Sequence, residues 1–389
     1  MKQIAVLMSS SQHFRNTGMF SVEWAAYNFF KENFPSCGLT FYVPNLSPES
    51  EYPSEYEMRV PYSTYRIIDD QAVYDIRSSD LIVFWSDFFH TRHYFDQYIQ
   101  QYTSLDKDLF FRAFFLEGAS KNIQQKSIAF GVSLMFFDEN KVKDRYTRAF
   151  ERLYQNMQLI MPRDRISFNN LFRYLDSDFT DCMYLGVDPA FLLPSEQKTT
   201  LMREKNVGLF IGRRTEIQSS HVREIKKFAK ESGRAIYWID WMRNTESFIM
   251  RAIKNPEQAR NLLWHMWLGI KYRRLGHEQN PIFNLNRYDM IITDTYHLAV
   301  NAIRSNVPVF CIGTDDKVIY NRPALDLSDK KKKVLMEMLG FQEYYGEPTK
   351  NKLQNTLLQD QFSNSKNKSK VNKEKSILID SCKNILRKS

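Results

Sequence analysis

Between Asp289 and Gly313 the chain reads Asp-Met-Ile-Ile-Thr-Asp-Thr-Tyr-His-Leu-Ala-Val-Asn-Ala-Ile-Arg-Ser-Asn-Val-Pro-Val-Phe-Cys-Ile-Gly, a pattern that few folds accommodate. Met290-Ile291-Ile292 is a short apolar run of the kind that makes a strand buried on both faces. Thr293-Asp294-Thr295 supplies turn and cap chemistry, and Leu298, Ala299, Ala302 and Ile303 then recur at helical spacing. Val307 to Ile312 gives a second apolar run, closed by Gly313. Strand, helix and strand in this order form one unit of a parallel sheet. His297 falls in the first turn of the helix, beyond the carboxyl end of the first strand. Open α/β sheets take ligands at that edge, and a helix N-terminus favours anions there. Imidazole titrates near pH 7, so a histidine in this place can hold a negative group or move a proton. A histidine that merely caps or packs fits the same position, and both readings stay open at this stage.

A length of 389 residues is enough for two α/β domains with full cores. The alternation along the chain agrees. Strands are expected at Ile4 to Met8, Leu39 to Val43, Leu81 to Trp85, Ile128 to Val132 and Leu159 to Met161. Helical patterns fall near 20–33, 92–103, 141–157 and 167–175, and residues 44–63, rich in Pro, Ser and Tyr, read as a long surface loop. A Pro-marked break, Gly186-Val187-Asp188-Pro189-Ala190-Phe191-Leu192-Leu193-Pro194, precedes a polar linker from Ser195 to Lys205. A second alternation follows: strand 207–212, helix 218–232, strand 235–239, helix 244–275, strand 289–292 and the unit described above. The expected domains are therefore 1–194 and 195–360, followed by a basic tail at 361–389. Within that tail, 361–375 reads as flexible and 376–388 as an amphipathic helix.

The formal net charge of +9 is concentrated late, in the run Lys330 to Lys333 and in the tail. No zinc-finger, RNA-recognition or helix-turn-helix pattern accompanies it, so no specific nucleic acid is expected as a partner. In the tail, Leu378, Cys382, Ile385 and Leu386 recur at helical spacing beside Lys375, Lys383, Arg387 and Lys388. Such a helix suits an anionic membrane surface, or packs on its own domain. No run approaches the ~20 apolar residues of a membrane span. Four scattered cysteines lack metal spacing, which with the unremarkable N-terminus suggests a reduced, cytoplasmic protein. Dinucleotide, Walker, zinc-protease and esterase motifs are missing, which removes those enzyme classes. Asp176-Ser177-Asp178 has the Asp-x-Asp form of metal-dependent glycosyltransferases but sits beside a helix pattern, and His90-Thr91-Arg92-His93 has no third ligand at metal spacing. No metal and no cofactor are expected.

Several landmarks, in order over roughly residues 1–345, resemble the polysaccharide pyruvyl transferase family. Asn16-Thr17-Gly18 is similar to an Asn-x-Gly-Asp turn, with Met19 in place of the aspartate. Arg163-Asp164-Arg165-Ile166-Ser167 is similar to an Arg-Asp-x-x-Ser stretch, and Asp188-Pro189-Ala190-Phe191-Leu192-Leu193 to Asp-Pro-x-Phe-Leu-Leu. Arg213-Arg214-Thr215-Glu216 resembles an anion-binding stretch at the end of a strand. The 289–313 unit resembles the family's C-terminal motif of Arg-x-His, a small-residue helix and Val-Pro-Val-x-x-Ile-Gly, with Thr295 where the motif has arginine.

The resemblance implies an α/β protein of two Rossmann-like parallel-sheet domains in a GT-B-like arrangement with an interdomain cleft. The first domain would take the acceptor side and the second the donor side. It also implies transfer of a pyruvyl group from phosphoenolpyruvate to a sugar of a cell-surface polysaccharide or its lipid-linked precursor. His297 would be catalytic, and Arg213, Arg214, Thr295 and Tyr296 would hold the donor. Asn16, Thr17, Gly18, His90 and Arg163 would line the acceptor side or cleft. A lipid-linked oligosaccharide acceptor would suit attachment to the inner membrane face through residues 376–388. Two alternatives stay open: a GT-B glycosyltransferase using a nucleotide sugar in surface glycan synthesis, or a non-catalytic descendant of the family.

Overall fold

The computed structural model describes residues 1–8, 16–51, 58–86, 90–92, 105–134, 144–175, 181–194, 205–211, 219–241, 266–272, 281–313, 323–358 and 365–389. These fall into two compact units. The first comprises Met1–Gln12, Val22–Leu193 and Lys366–Ser389, and the second His13–Ser21 and Pro194–Ser365.

The first unit holds one parallel sheet of strands β1 (Gln3–Leu7), β2 (Gly38–Val43), β3 (Tyr65–Ile67), β4 (Leu81–Trp85), β5 (Ser127–Val132) and β6 (Leu159–Pro162). Their spatial order is β3-β2-β1-β4-β5-β6, the doubly wound order of dinucleotide-binding folds. The second sheet comprises β7 (Asn206–Phe210), β8 (Ala235–Trp238), β9 (Lys271–Tyr272), β10 (Met290–Thr293), β11 (Val309–Ile312) and β12 (Tyr345–Gly346). Its order, β12-β11-β10-β7-β8-β9, is the same topology read from the other edge. Central strands such as β4 (Leu-Ile-Val-Phe-Trp) are buried at every residue, which is why they read as continuous apolar runs.

Helices α1 (Thr17–Asn33), α2 (Asp70–Ser78), α3 (Lys107–Phe114), α4 (Lys121–Gln124), α5 (Arg145–Tyr154) and α6 (Arg165–Tyr174) alternate with the first set of strands. Aspartates begin several of them. Asp69, Asp144 and Asp164 accept from the backbone amides of Ala72, Thr147 and Ser167 at 2.6, 2.9 and 2.8 Å, satisfying donors that a helix start leaves open. In the second unit, α7 (Ser219–Glu231), α8 (Tyr296–Arg304), α9 (Pro323–Leu339) and α10 (Lys350–Leu357) alternate likewise.

Several expectations need correction. A helix over 244–275 does not hold at its end, because Lys271–Tyr272 pairs with β8 as an edge strand; residues 242–265 lie outside the described ones. The expected helix at 92–103 also lies outside them, beyond Arg92. The tail is not flexible over 365–375. One helix, α11 (Ser365–Lys388), spans it. Leu378, Cys382, Ile385 and Leu386 are buried within the first unit, where Lys375 meets Glu32 at 3.7 Å and Ser389 donates to the Asp80 carbonyl. The apolar face expected to meet a membrane is occupied by protein. Only exposed charge, such as Lys383, Arg387 and Lys388, remains on this helix for an outside surface. Among the described residues no helix is long and apolar enough to cross a membrane.

Candidate functional site

In the second sheet the connection order reverses between β7 and β10, which pair in parallel from Met290 with Val207 to Thr293 with Phe210. Ligands of doubly wound sheets bind beyond the carboxyl ends of strands at such a reversal. Strand β10 ends here and leads through Asp294 and Thr295 into α8. Thr295 sits at the N-cap in extended conformation, yet its hydroxyl donates to Asp294 Oδ1 at 3.2 Å instead of capping the helix. Its own amide donates to Thr293 Oγ1 at 3.0 Å. Tyr296 and His297 follow in the first turn, both buried, with their rings edge-on at 5.2 Å.

The segment that packs on His297 comes from the far end of the chain. A Cβ added to Gly18 would lie 2.5 Å from His297 Cβ and 2.8 Å from Cγ, so only glycine allows this approach. Asn16 caps α1 through Oδ1, which accepts from the amides of Gly18 (3.1 Å) and Met19 (3.3 Å). One turn further, Asn301 Nδ2 donates to Ser21 Oγ at 3.0 Å and to the His297 carbonyl at 2.9 Å. Ser21 Oγ in turn donates to the Gly18 carbonyl at 2.6 Å. All these residues belong to the second unit. Asn16, Thr17 and Gly18, expected to line the acceptor side or cleft, form a turn that Gly18 packs against His297.

A buried ammonium completes this edge. Lys332, on α9 and only 1% exposed, donates to the carbonyls of Asp294 (2.7 Å) and Ile312 (2.8 Å), which close β10 and β11. Burial pushes the neighbouring Cys311 thiol up to about 12 against the pull of Lys332, which leaves it a poor nucleophile. Lys332 was legible in the sequence only as a member of the basic run Lys330 to Lys333, and Ser21 and Asn301 were not singled out. Spacing carried one usable signal, since Asn301 stands one helical turn after His297, on the same face.

Other expected site residues lie elsewhere. His90 does not line a cleft: it is wholly buried in the first unit among Phe84, Phe115, Phe150 and Tyr154. Its Nε2 lies 2.6 Å from the Phe114 carbonyl, which only accepts, so Nε2 carries the proton and Nδ1 accepts from the Tyr154 hydroxyl at 2.9 Å. Arg163 is buried too, 3.4 Å from Asp188 and 4.0 Å from Asp164, and so serves the interior of the first unit. Asp188 also caps the Pro189 turn through the Ala190 amide, and Pro189 packs over Gly131 of β5, where a Cβ would lie 2.3 Å from its ring. The Asp-Pro motif is thus architectural. Arg213, Arg214, His93 and Asp176 to Asp178 lie outside the described residues. Among the described residues no three His, Cys, Asp or Glu side chains cluster as metal ligands would.

This site and fold define a doubly wound α/β protein with an imidazole at the switch point of its second sheet. Residues 22–316 match the family model for polysaccharide pyruvyl transferase, and the chain belongs to that family, among transferases of polysaccharide biosynthesis. The match includes His297 and begins just after the Asn16–Ser21 turn. The fold is similar to a putative UDP-N-acetylglucosamine 2-epimerase from Listeria monocytogenes, at 10% identity and TM-score 0.52, covering 97% of this chain and 91% of that one. It is also similar to the UDP-GlcNAc 2-epimerase from Neisseria meningitidis, at 10% identity and TM-score 0.51, covering 98% of this chain and 99% of that one. At that identity the likeness establishes a GT-B-like fold of two parallel-sheet domains and nothing finer. No protein of curated function matches this chain.

Proposed function

We propose that the chain transfers a pyruvyl group from phosphoenolpyruvate to two hydroxyls of one sugar in a surface polysaccharide or its lipid-linked precursor, forming a cyclic ketal. The observation that carries this reading is the place of His297, in the first turn of α8 at the reversal point of the second sheet, within a chain of this family. The donor bears a phosphate and a carboxylate. Helix N-termini and cations suit both, and the Lys332 ammonium adds fixed positive charge at the same edge. Arg213 and Arg214 follow β7, the neighbour of β10, and would reach the donor as charge-assisted partners. Thr295 and Tyr296 would border it.

The chemistry needs one group that both gives and takes protons. The donor methylene gains a proton and becomes the ketal methyl, which makes its neighbouring carbon electrophilic. The two sugar hydroxyls lose theirs as they bond to that carbon, and phosphate leaves. One hydroxyl proton balances the methyl and the other leaves with phosphate. His297 would serve as this acid and base, a role worth about two to four decades in rate. A site closed to water around His297 would keep water from competing with the sugar. The remainder of α11's exposed lysine and arginine charge would attract an anionic membrane holding a lipid-linked acceptor, by electrostatics alone.

Thr295 favours a second reading, because a chain without the motif arginine has one donor contact fewer: glycosyl transfer from a nucleotide sugar. A thermal-shift panel of phosphoenolpyruvate against nucleotide sugars separates the two. Stabilisation by phosphoenolpyruvate, diminished in His297→Asn, supports pyruvyl transfer. Stabilisation by a nucleotide sugar alone supports the second reading.

A further inference from the structure

Helices α1 and α8 begin side by side within the second unit. Gly18 lies against His297, and one turn on Ser21 bonds Asn301, so the two helices run in matched register over their first turns. Thr17 stands four residues before Ser21, on the same face of α1 and at the level of His297. Helical Cα–Cβ bonds tilt toward the N-terminus, so the Thr17 side chain leans to the end of α1 where α8 also starts. Thr17 is wholly buried, yet among the described residues its hydroxyl has no hydrogen-bond partner, and one turn further on Asn301 Oδ1 has none either. Buried hydroxyls in folded proteins are nearly always satisfied, so an unsatisfied one marks a place where a partner is to be supplied. Asn16 already occupies the amides of Gly18 and Met19, which leaves the Thr17 hydroxyl as a donor at this end of α1.

We propose that the Thr17 hydroxyl donates a hydrogen bond to an anionic oxygen, carboxylate or phosphate, of the ligand that His297 serves. Thr17 is thereby a donor-side residue, not an acceptor-side one, supplied to the second unit by the N-terminal segment. Two positive helix ends converge on one anion, with Ser21 and Asn301 latching them in register. The identity of the ligand as phosphoenolpyruvate rests on the function proposed above; the anion contact does not.

Thr17→Val, Thr17→Ser and wild-type full-length chains decide the matter, with melting temperature and binding isotherms for phosphoenolpyruvate, pyruvate and inorganic phosphate. Valine removes an unpaired buried hydroxyl at nearly constant volume, so the ligand-free melting temperature stays equal or rises. Its dissociation constant for phosphoenolpyruvate rises tenfold or more, and Thr17→Ser, which keeps the hydroxyl, restores wild-type binding. Weakened pyruvate but unchanged phosphate binding assigns the contact to the carboxylate, and the reverse pattern to phosphate. If valine binds every probe as wild type does, the hydroxyl is a structural orphan or a water site and the proposal falls. If wild type binds phosphate but no phosphoenolpyruvate, and valine weakens the phosphate, the Thr17 contact stands while the pyruvyl reading falls. A wild type that binds none of the probes overturns both. Should valine melt lower than wild type, Thr17→Ser alone decides: loss of affinity with serine refutes the hydroxyl contact.

Discussion

Gly18→Ala tests the packing that holds His297. A Cβ at this position would lie 2.5 Å from His297 Cβ, inside any real contact distance, and the nearest atoms belong to the base of the side chain, which cannot swing away. Either the first turn of α1 moves off α8 or the His297 backbone shifts. Overpacking of a filled interior costs ~1–3 kcal/mol. Alanine gains up to ~1 kcal/mol in helix propensity, and less near a helix start. The balance is a loss of ~1–2 kcal/mol, which for a domain of this size lowers the melting temperature by about 2–4 °C per kcal/mol. Calorimetry of the full chain is the assay, with the two units treated as separate transitions because a two-domain chain need not unfold in one step. NMR of the His297 ring gives a second readout, since a displaced turn must change its shifts. A variant as stable as wild type or more so, with unchanged His297 resonances, would refute the close approach and with it the whole arrangement of the site.

Burial raises the Glu374 carboxyl to about 7 against the pull of Lys370 and Lys373. Its folded pKa exceeds the unfolded value, so its protonated form stabilises the fold below pH 4.5 and that contribution is lost as the pH rises to about 7; Glu374→Gln removes this dependence, worth at most about 3 kcal/mol. Urea titrations of both forms at pH 5 and pH 8 check it, and equal pH slopes would contradict it. Leu378→Ala opens a cavity under α11 and costs ~2–5 kcal/mol in chemical denaturation; a neutral result would place the helix outside the core of the first unit. Asp188→Ala removes one carboxylate partner of the buried Arg163 charge and costs ~3–5 kcal/mol, toward the lower end because Asp164 stays within 4.0 Å; donor affinity of the folded fraction should not change.

Much of the fold is legible in the sequence because both sheets are parallel. A strand covered on both faces must be almost wholly apolar: β4 and β11 are apolar throughout, and β1, β5 and β10 depart from this only at a terminal Gln3, Ser127 or Thr293. Edge strands escape: β3, β9 and β12 have two or three residues each, too few for any period. Helices α2 and α3 carry caps at Asp69 and Asp106 that mark their starts, but the flanking sequence shows no long apolar stripe. The amphipathic tail was legible as a helix from 376, while what its apolar face covers is a tertiary fact that spacing does not contain. The site was half legible. His297 follows from the strand–turn–helix pattern, whereas its contact with Gly18 joins opposite ends of the chain. Lys332 stood only as one lysine of a basic run, because nothing local to such a run distinguishes the member that turns inward to cap strand carbonyls. His90 misled for the converse reason: a polar ring in a loop reads as functional until Tyr154 and Phe114 are seen to satisfy both nitrogens.

Incubation of the full chain with phosphoenolpyruvate and a panel of sugar acceptors, followed by phosphorus NMR for inorganic phosphate and mass spectrometry for the acceptor, tests the central claim most directly. Pyruvyl transfer predicts phosphate release that depends on an acceptor, an acceptor heavier by one ketal-linked pyruvyl group, and loss of both in His297→Asn with the fold retained. Turnover of a nucleotide sugar on the same panel, with phosphoenolpyruvate left intact, would contradict it.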